Sequence, residues 1–343
     1  MEKIILYADL HIHHHQSDWR RVDDAIEVLE WIRQEAINRD IKKVWFLGDF
    51  FHVRGYMYPT VVNRSLQALQ KFKDSGIELN LLTGNHDMPG RYTTKHSSIN
   101  VFGSMATIID QPMMETIENY SFYWLPYIER LDQCRWALNK IAESKDQNTK
   151  AILLGHLDIH GAYYHTHVPS THGITVDEIK NTFDMIITGH YHTRQTIGNI
   201  TYIGSPYQQN FGEANEKKGF MIFDNGNLEF VENTFSPVYL SIKSSEINES
   251  IRNNYVTITV EDSNSLVEVR DAASKYLPRN ITIKVDRTSI EEDRNIVALD
   301  SDTKDVNSML KEWVKKTANP VIYDVDKLLH VGMSLVKDKD EIR

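Results

Sequence analysis

The sequence has a single cysteine, Cys134, and lacks any long apolar run. One cysteine cannot form a disulfide within the chain, so a reducing compartment is expected. Cys134 falls in an amphipathic stretch, 128–141, and is expected to be a small core residue. No window approaches the roughly 18 apolar residues of a membrane-spanning helix, and the N-terminus shows no signal-peptide pattern. We therefore expect a protein of the cytoplasm, or of the host cytoplasm if the chain is viral, without membrane contact.

Positive charge is also scarce. The chain carries 38 Lys and Arg against 48 Asp and Glu, which gives a formal net charge of −10. Such a surface repels nucleic acid as a whole, so a polyanionic substrate must be held by a local patch, by metal ions or by a partner. The length of 343 residues suggests one large domain with a smaller one, or two of moderate size.

The first half of the sequence alternates short apolar runs with amphipathic helical patterns. This alternation predicts a parallel sheet with right-handed crossovers. Strands are expected at 4–7, 44–47, 77–82, 151–154 and 184–187, and helices at 19–38 and 61–72. Alternating patterns between 201 and 231 suggest a second sheet packed on the first. The predicted fold is therefore α/β, with a four-layer αββα core.

The remainder of the chain predicts two further units. A polar stretch without periodicity, 243–254, is interpreted as a linker. A strand at 255–260, a helix at 263–276 and a strand at 281–285 predict a small α+β module. Two amphipathic helices, 306–316 and 325–336, could cap the core or dock on a partner. The expected domains are 1–243, 254–300 and a helical tail, 305–343.

Polar side chains follow five of the predicted strands, at the point where each strand ends. Asp49 is the strongest candidate, because Gly48 lets the backbone turn sharply after an apolar strand. Such side chains converge on one cleft if the strands share a sheet. The five strand ends carry Asp9 and His11, Asp49 and His52, Asn85 and His86, His156, and His190 and His192. Histidines 13–15 and those between 160 and 172 are expected to be solvated in loops.

The set combines carboxylate and amide oxygen with imidazole and contains no thiolate. This chemistry suits a pair of divalent ions of the manganese, iron or zinc kind better than structural zinc. A carboxylate can bridge two ions about 3.5–4 Å apart, and such pairs activate a water and stabilise an in-line phosphoryl displacement. The pattern therefore predicts a dinuclear hydrolytic site.

Five motifs occur in an order that resembles the calcineurin-like metallophosphoesterases. They are Asp9-x-His11, Gly48-Asp49, Gly84-Asn85-His86-Asp87, Gly155-His156 and Gly189-His190-x-His192. Within that superfamily, residues 1–240 resemble the SbcD-type DNA repair nucleases, the meiotic-recombination nuclease family. His52, the segment 124–127 and the pattern Tyr202-x-Gly204-Ser205-Pro206 followed by 211–213 favour this branch. Ile12-His13 departs from the usual Leu-Gly pair, so the loop beside the first metal is expected to differ.

The resemblance implies a role for each motif residue. One ion would be held by Asp9, His11 and His192, the second by Asn85, His156 and His190, and Asp49 would bridge both. His86 would stabilise or protonate the leaving oxygen, Asp87 would orient His86, and His52 would contact the scissile phosphate.

The implied function is a Mn²⁺-dependent DNA nuclease with double-strand exonuclease and single-strand endonuclease activity. The family works with a coiled-coil ABC ATPase of the SbcC type, as a nuclease homodimer within a heterotetramer. The small α+β module would be a DNA-capping domain, and the tail would bind the ATPase. Two alternatives remain open. One is a stand-alone phosphodiesterase acting on nucleotides or small phosphoesters, and the other is a DNA-end scaffold without catalysis.

Overall fold

The computed structural model describes residues 2–15, 18–90, 96–165, 168–262 and 265–286. The predicted tail helices at 306–316 and 325–336 lie outside these residues. The elements named below belong to one compact unit, Met1–Val285. The α-helices are α1 Arg20–Asn38, α2 Pro59–Asp74, α3 Leu131–Glu143, α4 Val176–Ile179 and α5 Leu266–Ser274. No helix among the described residues is long and apolar enough to cross a membrane.

Two six-stranded sheets form the centre of the molecule. The first contains β1 Ile4–Tyr7, β2 Lys43–Phe46, β3 Glu78–Leu82, β4 Thr107–Ile109, β13 Gly219–Asp224 and β14 Asn227–Glu232, in the order β14-β13-β1-β2-β3-β4. The second contains β5 Met113–Ile117, β6 Tyr120–Leu125, β7 Lys150–His156, β10 Met185–Gly189, β11 Gln195–Ile197 and β12 Ile200–Tyr202, in the order β11-β12-β10-β7-β6-β5. Strands β1 to β4 run parallel, as do β6, β7, β10 and β12.

The two sheets pack face to face, and helices cover their outer faces. Trp45 of the first sheet contacts Phe122 and Trp124 of the second, with ring centroids 4.9 Å apart in both pairs. The opposite face of the first sheet packs against α1 and α2, and that of the second packs against α3. The predicted four-layer αββα arrangement is confirmed. Its aromatic centre fixes the two sheets relative to each other.

A smaller parallel sheet follows. It consists of β15 Tyr239–Lys243, β16 Tyr255–Val260 and β17 Asn280–Val285, in that order, with α5 packed on its apolar face. The interpretation of 243–254 as a linker is wrong, because this segment forms two 3-10 turns and buries Ile251 completely. A short hairpin, β8 Tyr163–His165 and β9 Val168–Pro169, completes the described strands.

Candidate metal centre

The polar strand ends do converge, but they come from two sheets. Asp9, Asp49 and Asn85 follow β1, β2 and β3 of the first sheet, whereas His156 ends β7 and His190 follows β10 of the second. The expectation that all five ends lie in one sheet is therefore wrong. Parallel strands of both sheets direct their carboxyl ends to one edge of the sandwich, so the loops of the two sheets meet there.

The backbone at this edge is strained at several non-glycine residues. Asp9, His11, Asp49 and His190 all have positive φ, at 55°, 47°, 65° and 99°. A non-glycine residue rarely adopts this conformation, which costs of order 1–3 kcal/mol and clusters at functional sites. Hydrogen bonds from Asp9 N to the Gly48 carbonyl and from His11 N to the Asp49 carbonyl, 2.9 and 3.0 Å long, hold the strained loops together.

Gly48 permits the close approach that the site requires. A Cβ at this position would lie 2.3 Å from Nδ1 of His156, and the residue has a φ of +96°. Either feature alone makes glycine the favoured residue. The glycine thus lets an imidazole of the second sheet reach a loop of the first sheet.

Two groups of potential ligands lie side by side. Asp9, His11 and His192 present ligand atoms within 4.8 Å of one another, and Asp49, His156 and His190 do the same. The Oδ2 atom of Asp49 lies 3.4 Å from Nε2 of His11 and 3.3 Å from Nε2 of His156. This carboxylate therefore stands between the two groups, where a bridging ligand would be.

Bonds outside the cluster fix two of the imidazoles. Nδ1 of His156 lies 2.8 Å from the Leu47 carbonyl, and Nδ1 of His192 lies 2.8 Å from Oε1 of Glu213. Because both partners only accept, each Nδ1 carries the proton and each Nε2 presents a lone pair to the cluster. This is the tautomer that a metal ligand needs.

The side chain of Asn85 shows that the cluster suits a cation. Its Oδ1 lies 2.9 Å from Nε2 of His156 and 3.0 Å from Nδ1 of His190. If the amide were reversed, its nitrogen would donate to both imidazoles and its oxygen would accept from Nη2 of Arg54 at 2.7 Å. Oxygen facing the lone pair of His156 is favourable only with a cation among these atoms. The residues present therefore fit a divalent ion.

The carboxylates of the cluster are deeply buried. Burial raises the pKa of Asp9 to about 6, although the charges of His156 and His192 oppose the increase. Burial also acts on Asp49, but the neighbouring His156 outweighs it and holds the pKa of Asp49 well below its usual range. Burial lowers the pKa of His11, and neither of its ring nitrogens has a hydrogen-bond partner among the described residues. Positive ions would complete these contacts.

His52 and His86 lie next to the cluster, on the side of His11. The rings of His52 and His86 stack with centroids 5.4 Å apart, and Nδ1 of His86 donates to the His52 carbonyl at 2.6 Å. Burial, followed by the charge of His86, lowers the pKa of His52 to about 4, so His52 is neutral at pH 7. Nε2 of His86 is left to face a substrate.

Asp87 does not contact the imidazole of His86 as expected. Its carboxylate is fully buried and accepts from the backbone N–H groups of Asp49, Phe50 and Gly84 at 2.9, 2.9 and 3.0 Å, and from Phe51 at 3.3 Å. The role expected of Asp87, a direct bond that orients His86, is therefore wrong. Asp87 instead fixes the loop that carries Asp49.

The expectation of solvated histidines at 13–15 is also wrong. His14 is only 6% exposed and packs edge-on against Tyr58, with ring centroids 4.1 Å apart. His13 and His15 are half-buried, and their ring centroids lie 5.4 and 5.2 Å from that of His52. This loop therefore forms part of the wall beside the candidate centre.

Glu213 is a site residue that the sequence reasoning missed. It is 4% exposed, and it accepts hydrogen bonds from His192, Gln209 N and Asn210 while pairing with Lys218 at 3.2 Å. The burial of Glu213 raises its pKa, but the bond from His192 and the charge of Lys218 outweigh burial and lower it to about 2. In the sequence, the segment 211–213 marks a family resemblance but gives Glu213 no role.

A two-sheet α/β sandwich with carboxylates, an amide and imidazoles gathered at one edge defines a metal-dependent phosphoesterase. The family model described as calcineurin-like phosphoesterase matches residues 2–194. The chain belongs to this family, whose members use a dinuclear metal centre.

Three relatives show how far the similarity extends. The chain is 23% identical to exonuclease subunit 1 of Enterobacteria phage T4, over 95% of both chains. It is 22% identical to the SbcD subunit of the nuclease SbcCD of Staphylococcus epidermidis, over 98% of this chain and all of the relative. It is 26% identical to the putative phosphoesterase 244L of Invertebrate iridescent virus 6, over 64% of this chain and 75% of the relative. The first two relatives thus match almost end to end.

Proposed function

We propose that the protein is a nuclease that hydrolyses phosphodiester bonds of DNA with two divalent ions, and that these ions are Mn²⁺. The observation that carries this proposal is the near full-length similarity to relatives named as exonuclease and nuclease subunits, combined with the converging ligand set. The similarity extends through the small sheet and beyond the family domain, so it supports more than a generic phosphoesterase.

The proposal assigns seven ligands. Each side chain either presents a lone pair to the cluster or lies within 4.8 Å of others that do. Asp9, His11 and His192 would hold one ion, Asn85, His156 and His190 the other, and Asp49 both. When bound, such a pair activates a water and neutralises charge on the phosphate.

The neighbouring imidazoles would act on the substrate. His86 is held by the bond from its Nδ1 to the His52 carbonyl, which leaves Nε2 free to carry a proton to the departing oxygen. His52, neutral at pH 7, would position the scissile phosphate by donating a hydrogen bond. Asp87 would support both steps indirectly, because it fixes the loop between Asp49 and His52.

The proposal also includes a partner. The two full-length relatives carry the word subunit in their names, which supports assembly with an ABC ATPase of the SbcC type and a nuclease homodimer within the complex. In this proposal residues 1–243 form the nuclease domain, 254–300 contact DNA and 305–343 bind the coiled coil. The acidic net charge fits an enzyme that gains DNA affinity from its partner.

The test is cleavage of an end-labelled DNA duplex in Mn²⁺ and in Mg²⁺, with and without the ATPase. Asp49→Asn should abolish shortening because the bridging carboxylate is lost. His86→Asn should lower kcat by about 100- to 10,000-fold, as expected for loss of a general acid, without changing metal binding measured by calorimetry.

The matched control is His160→Asn, since His160 is exposed in a loop and should leave cleavage unaltered. Intact DNA under every condition, alongside rapid hydrolysis of a nucleotide diester, would replace the nuclease by a stand-alone phosphodiesterase. Equal loss of metal binding in Asp49→Asn and His86→Asn would refute the role given to His86.

A further inference from the structure

A cavity of about 680 Å³ opens beside His52 and contains none of the seven proposed ligands. Its walls come from the loop before α1, the first turn of α1 and the small sheet. The lining residues used below are His52, Arg20, Arg21, Tyr255, Asn280 and Thr282. Cavities of about 300–1,000 Å³ enclose ligands of drug size, so this one has room for a nucleotide unit but not for a double helix.

Arg21 supplies a fixed positive charge to this cavity. Its guanidinium lies 5.7 Å from the ring centroid of Tyr239 and 5.6 Å from that of Tyr255, and it donates to the Gln209 carbonyl. The carboxylate nearest in sequence, Asp18, is bonded to Arg20. No carboxylate among the described residues pairs with Arg21, so its charge is oriented but not neutralised.

The small sheet turns a polar face toward the cavity. Tyr255 pairs with Asn280 and Thr257 with Thr282, so these side chains share one face, while Val256 and Ile281 on the other face pack in the core beneath α5. Asn280 and Thr282 are exposed. Amide and hydroxyl groups at these positions can both donate and accept, which suits the edge of a nucleobase.

His52 connects the cavity with the candidate metal centre. It lines the cavity, and its ring centroid lies 5.4 Å from those of His11 and His86. A strand whose scissile phosphate lay at the metal centre would therefore pass its neighbouring nucleotide along His52 into the cavity. The arrangement of a positive wall and aromatic rings is typical of sites for single-stranded nucleic acid.

We propose that this cavity binds an unpaired nucleotide adjacent to the scissile phosphate, with Arg21 on its phosphate and with Asn280 and Thr282 on its base. The proposal rests on the proposed nuclease function and deepens it. The cavity excludes a base pair, so a duplex end must open before its terminal nucleotide enters. It also locates the local positive patch that an acidic protein needs to hold a polyanion.

The first experiment measures binding without catalysis. Fluorescence anisotropy of a labelled oligothymidylate is recorded in EDTA over a series of salt concentrations. Arg21→Gln should weaken binding about tenfold and reduce the slope of log K against log salt by about 0.7, the value for one phosphate contact on a single strand. The control Arg270→Gln, on the exposed side of α5, removes the same charge and should leave the slope unaltered.

The second experiment measures selectivity. Thr282→Glu places a negative charge at an exposed position in the cavity, whereas Val267→Glu places it on α5, where the side chain is 71% exposed. Thr282→Glu should lower the kcat/KM for an oligonucleotide relative to that for bis(p-nitrophenyl) phosphate about tenfold, and Val267→Glu should not. Duplexes with a few unpaired terminal nucleotides should be cleaved faster than blunt ones.

The outcomes separate the two proposals. A salt slope and selectivity that are the same in Arg21→Gln and Thr282→Glu as in the wild type would overturn the cavity assignment, even if DNA is cleaved. Failure of the wild type to bind the oligonucleotide would overturn it as well. Binding that depends on Arg21 without any cleavage of DNA would support the cavity and refute the nuclease.

Discussion

The imidazole of His192 is oriented by a carboxylate that lies outside the proposed ligand set. Glu213 is itself held by Gln209 N, Asn210 and Lys218, so its position is fixed from several sides. A buried carboxylate of this kind selects the tautomer of the histidine and increases its basicity as a ligand. The same reasoning applies to the Leu47 carbonyl and His156. Metal affinity should therefore depend on residues that never touch an ion.

Glu213→Gln tests this dependence. The amide keeps the shape of the side chain but removes the charge that favours the bond from Nδ1 of His192. We expect Mn²⁺ affinity, measured by calorimetry at pH 7.5, to fall by about 10- to 100-fold, the usual effect of losing a partner of a metal-bound histidine. The control Glu232→Gln removes a charge from the surface pair with Lys217 and should leave affinity unaltered. Equal affinities in both variants would show that Glu213 only packs.

At the scale of elements, the loop after β2 is held by a side chain of the loop after β3. Four backbone N–H groups converge on the Asp87 carboxylate, and three of them belong to 49–51. Buried N–H groups without partners are costly, so this one carboxylate sets the path of the backbone on which Asp49 lies.

Asp87→Ala should therefore destabilise the fold as well as the site. Four buried donors lose their acceptor, and we expect the free energy of unfolding in urea to fall by about 3–5 kcal/mol in metal-free protein. The neighbouring His86→Asn should change it by less than about 1 kcal/mol, because the imidazole is half-buried and makes a single described hydrogen bond. An unfolding midpoint of Asp87→Ala equal to that of the wild type would contradict the structural role.

Much of the site could be predicted from local sequence. Apolar runs followed by glycine and polar residues mark strand ends, and this pattern located Asp9, Asp49 and Asn85. It could not show that the ends belong to two sheets, because a short apolar strand carries no information about its neighbours. Nor could it reveal the contact of Glu213 with His192, since a single sequence does not encode which distant residues meet. The burial of His14 depends in the same way on Tyr58.

At the scale of the whole molecule, the proposed ion site joins the two sheets. Asp9, Asp49 and Asn85 come from one sheet and His156, His190 and His192 from the other, and burial disfavours the charged carboxylates in the absence of cations. Ions bound only to the folded state stabilise it by mass action.

Added Mn²⁺ should therefore raise the melting temperature of protein stripped with EDTA. At an ion concentration 100 times Kd, the gain is about 2.7 kcal/mol for one site, which calorimetric scanning resolves easily. Asp49→Asn should lose most of the increase. A melting temperature that does not respond to Mn²⁺ in the wild type would exclude a metal centre at this edge.

The division of the ligands between two sheets also has a consequence during synthesis. A chain still on the ribosome has made Asp9, Asp49 and Asn85 long before His190 and His192 are added, and it has no second sheet against which the first can pack. Its catalytic chemistry is therefore absent until more than half of the polypeptide has been translated and folded. Fragments released early would be harmless to nucleic acid, so the order of the motifs along the chain acts as a safeguard for the cell that makes the protein.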